Sequence, residues 1–286
     1  MTERAIRFLV FTFILSWLIG IGFPLIGGKW NSSTGILVAV LYMFCPLISV
    51  IVIERIFYHN DVNDTCGIKF KVNFWFLVAW LLPLVLSYAS IGIASLFPGI
   101  EVSVDMEAFF ERLGKTMSQE QLRQIRTQFD SAQVSPVVVW SLQSLVAGAT
   151  INALVAFGEE IGWRGFLFNE LSQKLNFWKV STMTGFIWGV WHIPLILQGH
   201  NYPSNPTLGV LWMIIFCVLY SPIFNYIRFK SGSVIATSIL HGTLNATYGI
   251  SILFLKGGNE FIVGMLGLSG FVVLLIVDII ILLLHK

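Results

Sequence analysis

The stretch FWFLVAWLLPLVLSYASIGIASLF, residues 74–97, contains no charged residue. A bilayer core about 30 Å thick takes roughly 20 apolar residues of helix, so this segment is long enough to cross it. Seven further apolar windows stand near residues 6–26, 36–54, 137–157, 180–198, 208–227, 234–254 and 261–283. Backbone N–H and C=O groups in lipid have no water to bond and must be satisfied internally. Alternating strand patterns are absent, so helices are the remaining choice. The sequence therefore predicts an all-α, polytopic transmembrane helical bundle of about eight spans, forming a single integral membrane domain over residues 1–286.

Composition agrees. Mean hydropathy is +0.81 and only 11% of residues are charged, where a soluble chain carries roughly a quarter. A net charge of +2 with no basic tract excludes nucleic acid as a partner and leaves the lipid bilayer. Cys45, Cys66 and Cys217 fall at unrelated spacings, which predicts structural thiols. Arg4 and Arg7 precede an apolar run to Ile26, too long for a signal-peptide core and read as an anchor that stays.

One polar excursion, Pro98 to Pro136, interrupts the series. Within it, Met106 to Phe129 mixes Phe109, Phe110, Leu113, Leu122, Ile125 and Phe129 with charges at near-helical spacing. That pattern suits an interfacial helix, a cap over the bundle or a solvated connection. Basic residues in the short loops set the orientation. With the N-terminus inside, the inner side holds Arg4, Arg7, Arg55, Lys69, Lys71, Arg164, Lys174, Lys179, Arg228, Lys230 and Lys286. The outer short loops hold Lys29 and Lys256 alone. Both termini are expected in the cytoplasm, and a chain of this length suggests a prokaryotic cell membrane.

Ionisable residues at membrane depth are costly, so their positions carry the most information. The fourth window runs out through Phe157-Gly158-Glu159-Glu160-Ile161-Gly162-Trp163-Arg164. If the helix continues, Glu160 and Arg164 are i,i+4 partners and Glu159 points about 100° away, with Asn152 on its face. A charged cap where the span meets water is the plainer reading. The fifth window carries His192 near mid-bilayer, with Gly185 and Gly189 on its face for close helix approach and Pro194 breaking the helix just beyond. The seventh carries Ser238, His241, Asn245 and Tyr248 as one polar stripe, which on its own would serve as helix–helix glue. Counting rise along these spans puts Glu159 at the cytosolic edge, His241 about 10 Å deep and His192 about 18 Å deep. Asp278 is read as snorkelling or paired, and Glu170 as part of an interfacial helix over 166–177.

The order Glu159-Glu160-x-x-x-Arg164, then Trp188-x-x-x-His192, then His241-x-x-x-Asn245 resembles the CAAX-protease and bacteriocin-processing family, which includes the type II prenyl-protein endopeptidases. The family's second motif usually begins with Phe, where this chain has Trp188. The resemblance covers about residues 150–250, within a peptidase-like core at about 137–254. It implies an eight-helix bundle that cleaves peptide bonds within the membrane near its cytosolic side. The substrates it implies are a prenylated protein C-terminus, another peptide or a membrane-bound propeptide.

The chemistry can also be argued from the residues. Peptide hydrolysis needs a base to activate water and donors for the tetrahedral oxyanion. Glu159 near His192 suits the base, His241 and Asn245 the donors, and Glu160 with Arg164 fixes the local geometry. Glu159, His192 and His241 are also a possible Zn²⁺ set, with three ligands and an open position. No HExxH motif is present, so a cofactor-free glutamate mechanism is preferred. The rivals outside catalysis are a proton-coupled transporter and an immunity protein using the same buried groups.

Overall fold

Each apolar window falls on helix in the computed structural model, which describes residues 1–30, 32–103, 107–114, 117–131 and 135–285. The helices are α1 Glu3–Leu25, α2 Ser33–Ile51, α3 Val62–Cys66, α4 Phe74–Ala94, α5 Glu107–Leu113, α6 Gln119–Ser131, α7 Pro136–Ala149, α8 Ile151–Glu160, α9 Phe168–Ser172, α10 Phe177–Trp191, α11 Ile193–Ile196, α12 Pro206–Ser231, α13 Val234–Thr247, α14 Ile250–Leu253 and α15 Leu268–Leu284. Two π-helical segments extend them, Val52–Phe57 after α2 and Ile161–Leu167 after α8. Polar residues set the starts. Thr2, Ser32, Asn73, Asn176, Asn205 and Ser233 each accept a first-turn backbone N–H through the side chain.

Among the described residues, α1, α2 with its π extension, α4 and α12 are single helices long and apolar enough to cross a bilayer. A fifth span forms if α7 and the helix from Ile151 to Ser172 are taken together, bent by 46°. The windows at 180–198, 234–254 and 261–283 fall on shorter helices, α10, α13 and α15, of 15, 14 and 17 residues. Pro194 lacks a backbone N–H and stops α10 at Trp191, which accounts for one of these.

Helix α13 is the central element, packed on α4, α7, α8 and α12. The bend between α7 and α8 sits where α13 crosses them, and a Cβ on Gly242 would lie 2.3 Å from the Gly148 carbonyl oxygen. On α10, Gly185 and Gly189 admit α12 as their spacing predicts: added Cβ atoms would come within 2.6 Å of the Cys217 oxygen and of Ile214 Cα.

The two ends of the bundle differ. One gathers both termini, through Arg4 with Glu54, Asn73 with Ser231, and Phe177 with His285. The other joins Trp30 to Gln198, Ser204 to Glu260, and strand β1 (Glu101–Val102) to antiparallel strand β2 (Leu255–Lys256). The polar excursion lies at this second end. Phe110 of α5, with Phe109, Leu122, Ile125 and Phe129, packs against Trp140, Phe254 and Ile91. It is a cap with its own small core; Met106 lies outside the described residues.

Two expectations are corrected. The helix does not end at Glu159: thirteen residues of helix, Glu160 to Ser172, still follow it, about 20 Å at 1.5 Å per residue. The charges that suggested an exit to water are paired inside the protein instead. For the same reason 166–177 is not an interfacial helix. Phe166, Leu167, Phe168 and Leu171 are buried, and Glu170 meets Arg4 at 3.4 Å and the Thr2 hydroxyl. The Asp278 Oδ1 atom is buried without a protein partner.

Candidate active site

The helix through 151–172 presents Glu159 and Glu160 in different directions, both buried, at 2% and 0% exposure. Glu160 Oε1 accepts from Arg164 Nη1 at 3.0 Å and from His241 Nδ1 at 2.8 Å, which ties α8 to α13. The guanidinium of Arg164 lies against the Trp188 and Phe224 rings, 4.5 and 4.1 Å from their centroids, and its Nη2 donates to Ser221 Oγ at 3.1 Å. Fully buried charge is tolerable when it is paired and hydrogen-bonded, and cation–π contact with two rings adds to that.

Glu159 has a different neighbour. Its Oε2 accepts from the Trp188 indole Nε1 at 2.8 Å. One turn on, His192 Nδ1 lies 2.8 Å from the Trp188 carbonyl oxygen. A carbonyl can only accept, so Nδ1 carries the proton and Nε2 keeps its lone pair. The same reasoning at Glu160 puts a proton on His241 Nδ1, so His241 Nε2 donates only in the imidazolium form.

Two local breaks in helix geometry hold these groups. At the end of α10 the Trp191 carbonyl accepts from the Tyr42 hydroxyl at 2.6 Å and from Trp17 Nε1 at 3.3 Å. In the π segment the Arg164 carbonyl accepts from Arg228 Nε at 3.1 Å, while Arg228 Nη2 reaches the Cys66 oxygen at 3.3 Å. A π turn disturbs the regular ladder, and such turns are frequent at functional sites.

A cavity of about 770 Å³ borders the cluster, and Glu159, Trp188, His192, His241 and Asn245 all line it. Glu160 and Arg164 are not in its wall; they stand behind it and act on it through His241 and Trp188. Asn245 is exposed, with its amide free of protein partners among the described residues, and Tyr248 is 38% exposed on the same wall. Ser238 bonds the Val234 carbonyl of its own helix, and Asn152 bonds the Gly242 carbonyl at 3.4 Å, so both serve packing. Cys45, Cys66 and Cys217 are free and buried.

Sequence reading missed Ser221, Phe224, Tyr42 and the clamp by Arg228. Nothing in the sequence distinguishes Ser221 or Phe224 from other residues of an apolar window, whereas Arg228 was counted as a loop charge. The indole N–H of Trp188 was detectable in principle, four residues before His192 on the same face. Among the described residues no three His, Cys, Asp or Glu side chains are grouped so as to hold a metal ion. In the trio considered for zinc, Glu159 Oε2, His192 Nδ1 and His241 Nδ1 are each already hydrogen-bonded within the protein.

The molecule is thus a helical membrane protein with a carboxylate–histidine centre opening on an internal cavity. Residues 140–247 match the family described as type II CAAX prenyl endopeptidase, Rce1-like, the segment that carries all three motifs, so the resemblance drawn from them holds. A 59-residue stretch is 41% identical to "CAAX prenyl protease 2" of Methanococcus maripaludis, covering 21% of this chain and 22% of that relative. The alignment therefore spans about a fifth of the relative's length.

Proposed function

We propose that this chain is an intramembrane endopeptidase, related in chemistry to CAAX prenyl endopeptidases, whose peptidase core lies at about 137–254. The observation that carries the reading is Glu159. It is a buried carboxylate with one oxygen held by Trp188 Nε1, in the wall of a cavity it shares with His192, His241 and Asn245. Its other oxygen, Oε1, takes no protein hydrogen bond among the described residues and is left for water.

In this reading Glu159 takes a proton from water while the water oxygen forms a bond to the scissile carbonyl carbon. The lone pair on His192 Nε2 accepts from the same water and orients it. The oxyanion receives N–H donors from the Asn245 amide and from His241 Nε2 in its imidazolium form. In that form His241 joins Arg164 as a second cation on Glu160. As the C–N bond breaks, Glu159 returns its proton to the leaving amine. Both termini face the cytoplasm, on the strength of the short-loop charges. The relatives' names point to a prenylated C-terminal peptide as one substrate class.

The test is hydrolysis by purified protein in detergent. Glu159→Gln keeps size and hydrogen bonding but removes the base, so cleavage is expected to fall by about 10² to 10⁴ with an unchanged melting temperature. A folded Glu159→Gln protein that cleaves at the wild-type rate would sink the assignment.

A further inference from the structure

We propose that His200 and Asn201 form a binding subsite for the main chain of the peptide substrate, on the wall of the catalytic cavity and apart from the groups that do the chemistry. The proposal rests on the peptidase reading above and adds two substrate-binding residues to it. Both line the cavity that Glu159, His192, His241 and Asn245 share. Both lie in the short connection between α11 and α12.

The residues on either side of this pair are locked. Before it, Gln198 accepts from the Trp30 indole at 2.7 Å and donates to the Gly20 carbonyl at 2.8 Å, which commits both ends of its amide. After it, Tyr202 is fully buried, its hydroxyl donates to the Leu266 carbonyl at 2.8 Å and its ring stacks on Phe261. Between these anchors the backbone makes a costly turn. Gly199 has φ 90° and Asn201, which carries a side chain, has φ 63°. The Tyr202 N–H donates to the His200 carbonyl at 2.8 Å across Asn201, a three-residue turn of the strained, positive-φ form. Strain of this kind persists only where the surroundings enforce it, and it gathers at sites that bind or react. Yet the two side chains on the turn do nothing for the fold: neither the His200 ring nor the Asn201 amide has a protein hydrogen-bond or ion-pair partner among the described residues. A turn fixed at both ends, with its two central side chains open to a cavity, is placed to meet a ligand.

The chemistry of the two groups narrows the ligand. Much of the cavity wall is apolar, with Val40, Met43, Leu195, Met213, Phe216 and Leu244 among its residues. A peptide entering such a space gives up water at each main-chain N–H and C=O, and a group left unmatched there is costly. Pockets of this kind fix their ligand through a few placed polar groups. No Lys or Arg lines the cavity among the described residues, so the wall offers an anionic group no fixed positive charge. The His200 ring opens on the cavity but is shielded from bulk water by the walls, which pushes the imidazole below its ordinary value. At neutral pH it is then uncharged, with one nitrogen donating and the other accepting, and the Asn201 amide likewise has a donor and an acceptor end. A peptide group carries the same two functions, an N–H and a C=O. The pair therefore matches main chain, and it does so whatever side chains the substrate has.

Binding is measured on the Glu159→Gln protein in detergent, so that cleavage does not enter. The probe is a prenylated peptide carrying a fluorophore, and its anisotropy gives Kd. Adding His200→Ala should raise Kd by about 2- to 12-fold, the effect of one lost hydrogen bond, at an unchanged melting temperature. His200→Gln, neutral and with both a donor and an acceptor, should recover most of that loss. Asn201→Gly should weaken binding to a similar extent; glycine is chosen because it keeps the positive φ without strain. The discriminating step uses peptides in which one amide at a time is replaced by an ester, which removes its N–H. One such position should weaken binding to the parent protein and make no further difference once His200 or Asn201 is gone. A merely structural role would not produce that position-specific pattern. Parent affinity in both His200→Ala and Asn201→Gly overturns the proposal, as does a loss that is the same for every ester. If the His200→Ala loss vanishes when the C-terminal carboxylate of the peptide is made a carboxamide, the ring binds the carboxylate and the main-chain assignment fails. With Glu159 intact, cleavage should show a raised KM at unchanged kcat; a lowered kcat at unchanged KM would put His200 in the chemistry and refute its binding role. Should the protein cleave nothing while the Kd pattern holds, the peptidase reading fails and the peptide-binding subsite stands.

Discussion

The bundle contains two buried arginine–carboxylate clusters, and they differ in what surrounds them. At the end holding the termini, Arg4 contacts Glu54 at 2.7 Å and Glu170 at 3.4 Å, with Asn60 and Thr65 also bonding Glu54. Mid-bundle, Arg164 contacts Glu160, and His241 completes the set. Both clusters desolvate charge and join distant parts of the chain. The second borders the 770 Å³ cavity, and there a carboxylate of the neighbouring residue, Glu159, keeps an oxygen free of protein donors among the described residues. A buried ion pair is therefore poor evidence of a site; an unsatisfied reactive atom beside open space is much better evidence.

The largest expected difference between the clusters is in what their loss does. Removing one partner of a fully buried pair typically costs about 3–5 kcal/mol, because the other charge is left stranded. Arg164→Met should show a loss of that order in detergent melting and lower cleavage sharply, since Glu160 is then left with His241 as its one partner among the described residues. Arg4 is 28% exposed in its side chain, so Arg4→Met should lower the melting temperature by less and leave the kcat of the folded protein unchanged. A fall in kcat for Arg4→Met at constant stability would erase the distinction between the clusters.

The next effect is confined to the cavity wall. Asn245→Ala removes one proposed oxyanion donor from an exposed position, so folding should be indifferent to it. The loss of a single such donor is typically about 10² to 10³ in kcat. KM should barely change, because the interaction forms in the transition state. A variant that raises KM alone would make Asn245 a substrate-binding residue.

The two clusters also mark how far the sequence could be read. The helical windows and the residues Glu159, Glu160, Arg164, His192, His241 and Asn245 were identifiable because polar groups stand out in apolar runs. Their depth was not, since Arg164 and Glu170 look like charges meeting water when their partners, Ser221, Arg4 and Thr2, lie 57 to 168 residues away. The Arg4–Glu54–Glu170 cluster escaped notice for the same reason: each member reads as an ordinary end-of-helix charge. Spacing reports which side chains share a face of one helix, and it is silent on which helices meet.

A smaller effect is expected at Trp188, where this chain departs from the family's Phe. Trp188→Phe keeps a ring against Arg164 but removes the N–H that holds Glu159 Oε2 at 2.8 Å. A hydrogen bond to a charged group contributes about 1.5–3 kcal/mol, and since family members with Phe lack this donor, a loss near the lower limit, about tenfold in kcat, is expected. No change in rate would mean that the bond fixes the carboxylate only in the resting state.

The smallest expected effect comes from chelation. A catalytic zinc site takes three protein ligands with the fourth position open, each ligand atom about 2.0–2.2 Å from the ion. Glu159, His192 and His241 share one cavity, but each already has a ring or carboxylate atom committed to Trp188 or Glu160, and the described residues contain no grouping of three ligands. His192 and His241 would have to offer Nε2 together with Glu159 Oε1, with both Nδ1 atoms anchored as they are here. The glutamate mechanism draws on no ion, so prolonged treatment with a strong chelator should leave the rate of purified protein nearly unchanged. Metal analysis of the same active sample is the control that gives the result meaning. Stoichiometric zinc whose removal stops cleavage, and whose return restores it, would move Glu159 from base to ligand and make His192 and His241 its partners.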